Sequence, residues 1–301
     1  DAAVRALRGG ETMLCLDHVR LATLPGNLAT SVAVGGVVDT LSMQFCALKE
    51  VPATLSSFAT TLRVVKMGGN SITTMPALLS LPLLSELHLN GNALTAVSNE
   101  FAMFDQLTVL NVSNNSIKVV SDVVLKRLTR LEEIDISGNP LAELPTTISS
   151  LQSLEVLDAC GCGMEKLPNE ITLCTSLMEL KLSYQQPPLL ELPANIGRLT
   201  RLCCLSVNDN SLTFLPLSLG LCDGLNDNSV IFNIDRNKFK DERLIEAHTK
   251  GPQHLYRYLN ILLQAWQKKD KESGGTGSSI TDAIVVAAPP SAVPMPAPPA
   301  T

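Results

Sequence analysis

Aromatic residues are scarce in this chain. They make up 4% of 301 residues, with one tryptophan and three tyrosines, although hydrophobic residues of all kinds reach 45%. A globular core of this size normally uses Phe, Tyr and Trp as bulky filler. Their shortage speaks against such a core and points to a thin, leucine-built one repeated along the chain. Basic residues are also few: 23 Lys and Arg against 29 Asp and Glu give a net charge of -6. Phosphate contacts need a basic face, so direct nucleic-acid binding is not expected. No apolar run approaches the ~18 residues of a membrane span. No secretory signal peptide is recognised, and no membrane partner is expected.

The motifs of catalysis are missing as well. There is no H-E-x-x-H, G-x-S-x-G, phosphate-binding loop or dinucleotide fingerprint. The expectation is a non-enzyme with no cofactor, no metal and no small-molecule substrate. Cys160 and Cys162 form a C-x-C pair, but no second Cys or His pair with zinc spacing accompanies them. The eight cysteines are scattered rather than clustered at the ends. That distribution fits free thiols in a reducing compartment, so a cytoplasmic location is expected.

What the chain does have is a repeat. The template L-x-x-L-x-L-x-x-N-x-L fits at Leu62, Val65, Met67, Asn70 and Ile72. It returns at Leu84 to Leu94 with Asn92, at Leu107 to Ile117 with Asn115, and at Leu131 to Leu141 with Asn139. It continues at Leu154 to Met164 with Cys162 in the Asn slot, from Leu177 with Gln185 there, and at Leu202 to Leu212 with Asn210. Degenerate copies begin at Leu14, Val38 (with Cys46 in the slot) and Phe232. That makes ten repeats. The alternating L-x-L pair reads as a short strand with one face inward. A buried Asn can satisfy backbone groups where the chain leaves the strand, and a cysteine there bonds more weakly. Each stacked repeat covers its neighbour's apolar edge.

The second half of the repeat reads L-P-x-x-I/L: Leu144-Pro145 with Ile148, Leu167-Pro168 with Ile171, Leu192-Pro193 with Ile196, Leu215-Pro216 with Leu219. Pro25 and Pro52 occupy the same slot near the start. Proline fixes the turn onto the convex side. This pattern, over residues 11 to 240, resembles the intracellular Ras-group leucine-rich repeats of the Shoc/Sur-8 and Erbin types. The resemblance implies an α/β horseshoe solenoid with a parallel concave sheet, acting in signal transduction as a protein-binding scaffold.

Residues 1 to 10 are expected to cap the open sheet edge. After the repeats, 241 to 270 reads as a helical cap, with Leu255, Tyr258, Leu259, Leu262 and Trp266 on one helix face. Tyr258, Leu263 and Trp266 could instead form a docking helix. The stretch Asn237 to Leu244, with Leu255 to Leu259, resembles the C-terminal repeat cap of the leucine-rich repeat-containing protein 47 family, without the B3/4 domain that follows it there. Residues 271 to 301, Gly/Ser-rich and then Ala/Pro-rich, are expected to be a disordered tail.

The non-leucine strand positions are expected on the concave face, and they carry the candidate binding residues: Glu86, His88, Asn111, Glu132, Glu133, Asp135, Glu155, Asp158, Glu179, Lys181, Tyr184 and Asp209. Parallel strands stack ~4.8 Å apart, so equivalent positions become columns. Six of these carboxylates, Glu132 to Glu179, fall on the sixth to eighth repeats. Like charges so close repel. They form either a solvated polar face or a recognition strip for a partner with a basic surface. The rival expectation is a structural subunit of a large ribonucleoprotein or cytoskeletal assembly, held by its ends and tail.

Overall fold

A computed structural model describes residues 12–20, 37–77, 79–227 and 229–272. The expected caps and tail at 1–10 and 273–301, and the repeat segment around Pro25, lie outside the described residues.

Every repeat with its L-x-L pair contributes one three-residue strand: β1 (Met13–Cys15), β2 (Thr40–Ser42), β3 (Val64–Lys66), β4 (Glu86–His88), β6 (Val109–Asn111), β8 (Glu133–Asp135), β9 (Val156–Asp158), β10 (Glu179–Lys181), β11 (Cys204–Ser206) and β12 (Ile231–Asn233). All ten pair in parallel, in chain order, in one sheet. β5 (Ala96–Val97) and β7 (Val119–Val120) form a second, two-stranded sheet. The central residue of each main-sheet strand, such as Leu87, Leu110, Ile134 and Leu157, is almost wholly buried. Its two neighbours point to the other face. The period-two reading of the leucines therefore sets both the register and the buried side.

The Asn slot ties neighbouring repeats together. Asn139 is buried and spends all its valences on backbone. Its Oδ1 accepts the Ile117 N–H at 2.9 Å, and its Nδ2 donates to Val112 O at 3.0 Å and Ile136 O at 2.8 Å. Asn70, Asn92, Asn115, Asn210 and Asn237 repeat this arrangement. Gln185 reproduces it, accepting from Gly163 and Met164 and donating to Ala159 O. Cys162 offers only an S–H to Ile136 O at 3.3 Å, and the Leu141 N–H turns to the Asn139 carbonyl instead. The cysteine turn makes fewer bonds, as its chemistry dictates.

On the opposite side, 3-10 segments follow the prolines: Ala53–Phe58, Thr146–Ser150, Asn169–Leu173 and Leu217–Leu221 start directly after Pro52, Pro145, Pro168 and Pro216. The ring presets φ near the value the turn needs. Repeat five lacks this proline and forms a true helix, α1 (Asp122–Arg127), whose Val123 N–H is capped by Ser121 Oγ.

Two helices close the C-terminal end. In α2 (Glu242–Thr249), Asp241 caps the Arg243 and Leu244 N–H groups through Oδ1. Its Oδ2 accepts the Tyr258 hydroxyl at 2.6 Å from α3 (Pro252–Glu272). Tyr256 donates to Asp223, and Asn260 Nδ2 to Gly220 O. Only glycine fits at position 220, because a Cβ there would lie 2.9 Å from the Asn260 Cα. Helix α3 runs on through Lys271 and Glu272, two residues past the expected end of the cap at 270.

Candidate functional site

The candidate strip is built by register. Glu133 pairs with Val156, and Val156 with Glu179; one step on, Asp135 pairs with Asp158, and Asp158 with Lys181. Ahead of the strands, the Glu155 N–H donates to Glu132 O, which sets those two residues side by side. Strands β8, β9 and β10 thus put Glu133, Asp135, Asp158 and Glu179 on the face opposite their buried centres, with Glu132 and Glu155 just ahead of β8 and β9; Glu132 and Glu133 are exposed and the other four half-buried.

Their surroundings sort them into two kinds. Asp135 holds its own turn: Oδ1 accepts the Ser137 N–H at 3.0 Å and its hydroxyl at 2.6 Å, and Oδ2 accepts from Asn111 Nδ2. Asp158 accepts the Cys160 N–H in the same way. Asn111 does so for Ser113. These side chains belong to the turn that ends each strand. Glu155 lies 3.9 Å from Arg201, and Glu179 bonds Lys181 at 2.8 Å. The bond from Glu179 is the main cause that holds the Lys181 ammonium above its ordinary range. Two carboxylates of the strip thus have a counter-charge that the count of acidic residues does not reveal. Glu132 and Glu133 have no ion pair among the described residues.

The remaining candidates are spread more widely. Glu86 and His88 face one another on β4 at 3.5 Å. Tyr184 and Asp209 lie in the turn beyond their strands, one residue before the Gln185 and Asn210 slots, where their N–H groups still donate to Asn208 O and Asp235 O of the next repeat. Asp209 pairs with Arg236 at 2.9 Å. On α3, Tyr258 and Leu263 are buried and Trp266 is half-buried, so of the expected docking helix only Trp266 keeps an open side. A separate groove of ≈ 520 Å³ runs along the Leu-Pro turns, lined by Glu143, Lys166, Glu170, Glu191 and Phe214 among others.

The turn column holding Tyr184 and Asp209 is not among the sequence expectations. Residues 18, 45, 69, 91, 114, 138, 161, 184, 209 and 236, one per repeat, all have positive φ, between 50° and 66°. Four are glycine, which reaches this region freely. The others carry a side chain at a cost of roughly 1–2 kcal/mol each. The sequence does hold a signal: a glycine just before the Asn slot in repeats three, four and six marks a left-handed turn, and so does Gly161 before Cys162.

The cysteines are structural in surroundings. Burial pushes Cys162 and Cys174 up to about 11 and Cys160 and Cys222 up to about 12, so the thiolate is disfavoured. Among the described residues no His, Cys, Asp or Glu group could hold a metal ion. No helix there is long and apolar enough to cross a membrane.

The leucine rich repeat family model matches residues 105–164. A Leptospira interrogans leucine-rich-repeat protein superposes with TM-score 0.57 at 22% identity, over 80% of this chain and 71% of that one. The fold is a leucine-rich-repeat solenoid. The leucine-rich-repeat ectodomain of an Arabidopsis thaliana membrane receptor kinase, solved in complex with Casparian strip integrity factor 2, superposes over 76% of this chain and 30% of that one, with TM-score 0.54 and 22% identity. In sequence, the solenoid is 28% identical over 218 residues to the human volume-regulated anion channel subunit LRRC8A. That match takes in 69% of this chain and 26% of the relative; a Podospora anserina adenylate cyclase is matched over 6% of its length. The chain therefore spans about a quarter or less of these curated relatives. Leucine-rich-repeat proteins commonly serve in protein–protein interaction, and the fold is typically non-catalytic.

Proposed function

We propose that this solenoid is a non-catalytic adaptor whose concave face captures a protein partner with a basic surface. The reading rests on one observation: six carboxylates lie on or just ahead of the neighbouring strands β8, β9 and β10, and Glu132 and Glu133 stand exposed without a counter-ion among the described residues. Such a field steers basic surfaces toward the face and suppresses acidic ones. The Arabidopsis neighbour, solved with a second molecule bound, is in keeping with this use of the fold. The Ras-group type of repeat, a cytoplasmic setting and a signalling role belong to the same proposal, as does the likeness of the C-terminal cap to the leucine-rich repeat-containing protein 47 family.

The test removes charge without touching turns. Glu132→Gln, Glu133→Gln and Glu155→Gln together leave the turn bonds of Asp135 and Asp158 in place. The triple variant should keep its thermal midpoint and bind its partner at least about tenfold more weakly, with a flatter salt dependence. Binding that is unchanged in strength and in salt dependence contradicts the acidic strip.

A further inference from the structure

The turn column bordering the sheet carries three rings. His18, Phe45 and Tyr184 have φ of 60°, 55° and 59°. Bulky side chains avoid this region, and where they persist in it a functional cause is worth seeking. Neither Phe45 nor Tyr184 is repaid by burial, because they are 58% and 54% exposed. The Phe45 ring stacks on His18 at 5.1 Å, nearly parallel. It also lies across Gly69, where an added Cβ would collide with the ring. Between Phe45 and Tyr184 the column carries small residues: Gly69 under the Phe45 ring, Gly91, Asn114 with its amide against Gly138, and Gly161. It is a shelf with an aromatic post at each end.

We infer that this shelf is the track for an extended, basic segment of the partner, with an apolar side chain at each end seated on Phe45 and on Tyr184. The inference rests on the acidic-strip reading for the charge of its occupant. Asp135 and Asp158 each lie three residues before a glycine of the shelf, Gly138 and Gly161, so the carboxylates flank the half of the track nearer Tyr184. Phe45 follows β2 and Tyr184 follows β10, six strand spacings apart in the sheet order. At ~4.8 Å per spacing the posts stand roughly 29 Å apart, which an extended chain covers in about nine steps of ~3.3 Å, so about ten residues with one at each post. Gly91 and Gly161, which no side chain covers, give the partner's backbone close access, and exposed aromatic rings often dominate a protein interface.

The experiment measures fluorescence anisotropy of labelled peptides of about ten residues, the length that spans the posts, on the full chain. The first has Phe at both ends and alternating Lys and Ser between. The second replaces both Phe by Ser. The third keeps both Phe and replaces every Lys by Ser. The first peptide should bind about tenfold tighter than the second. That preference should vanish in Phe45→Gly/Tyr184→Gly, which removes both rings at positions that favour glycine and so should fold at least as stably. Equal binding of the first two peptides to the wild type overturns the inference, as does a preference that survives in the glycine variant. If the third peptide binds as well as the first, the posts stand and the acidic-strip reading fails, so the two failures are told apart.

Discussion

Replacing Asn139 by alanine should destabilise the solenoid by about 3 kcal/mol. The side chain is 1% exposed and makes three backbone bonds of 3.0 Å or less. Two of its partners are carbonyls that keep another donor, Val112 O from Asn115 Nδ2 and Ile136 O from the Cys162 thiol. Losing those bonds costs about 0.5–1 kcal/mol each. The Ile117 N–H keeps no other acceptor among the hydrogen bonds of the described residues, and a bare buried donor costs roughly 1–3 kcal/mol. For a chain of this size the sum corresponds to a fall in Tm of about 6–12 °C. The assay is guanidinium unfolding followed by circular dichroism, with equal slopes required of the two proteins. The reverse change has a stated sign too. Cys162→Asn restores an acceptor for Leu141 N–H and donors for two carbonyls, and should stabilise by about 1 kcal/mol. A loss below about 1 kcal/mol for Asn139→Ala, or a Cys162→Asn variant less stable than the parent, would refute the reading of the slot as a backbone tie.

Other outcomes follow from the same geometry. Burial, and the bond to Asp223, push Tyr256 up to about 12, and burial with Asp241 pushes Tyr258 up as well. Both shifts favour the protonated form in the fold, so their stabilisation is complete below the unfolded tyrosine pKa of ~10 and is lost as pH rises through the folded values. Tyr256→Phe/Tyr258→Phe should therefore flatten the fall of the urea midpoint above pH ~10, and an unaltered fall counts against the two bonds. Cys162, Cys174 and Cys222, buried with raised thiols, should resist a disulfide reagent at pH ~8 until the solenoid opens; rapid labelling of the native chain would contradict their placement. Ser121→Ala should cost α1 about 1 kcal/mol through its lost N-cap, read as a lower urea midpoint.

Much of the fold is legible in the sequence because its information is local and repeated. The leucines of Leu84-x-x-Leu87-x-Leu89 alternate with period two, and aligning the copies on this template sets one strand against the next. Spacing alone therefore yields the columns of Glu133, Val156 and Glu179, and of Asp135, Asp158 and Lys181. The site is less legible, because neutralisation is a matter of side-chain reach. Whether Arg201 extends to Glu155, or Lys181 turns to Glu179 rather than Asp158, depends on rotamers that no spacing encodes. Asp135 and Asp158 read as free charge, yet each closes a turn two residues on. Counting along the repeat does not reveal that Tyr184 sits in a left-handed turn, because its position is one that glycine fills in four other repeats.

The most direct test of the binding face is zero-length carbodiimide coupling, which joins carboxylates to lysines in contact, applied to the chain with its bound partner and mapped by mass spectrometry. The account predicts bonds from partner lysines to Glu132, Glu133 and Glu155. Bonds confined to Glu143, Glu170 and Glu191 along the Leu-Pro groove, with none on the strip, would contradict it.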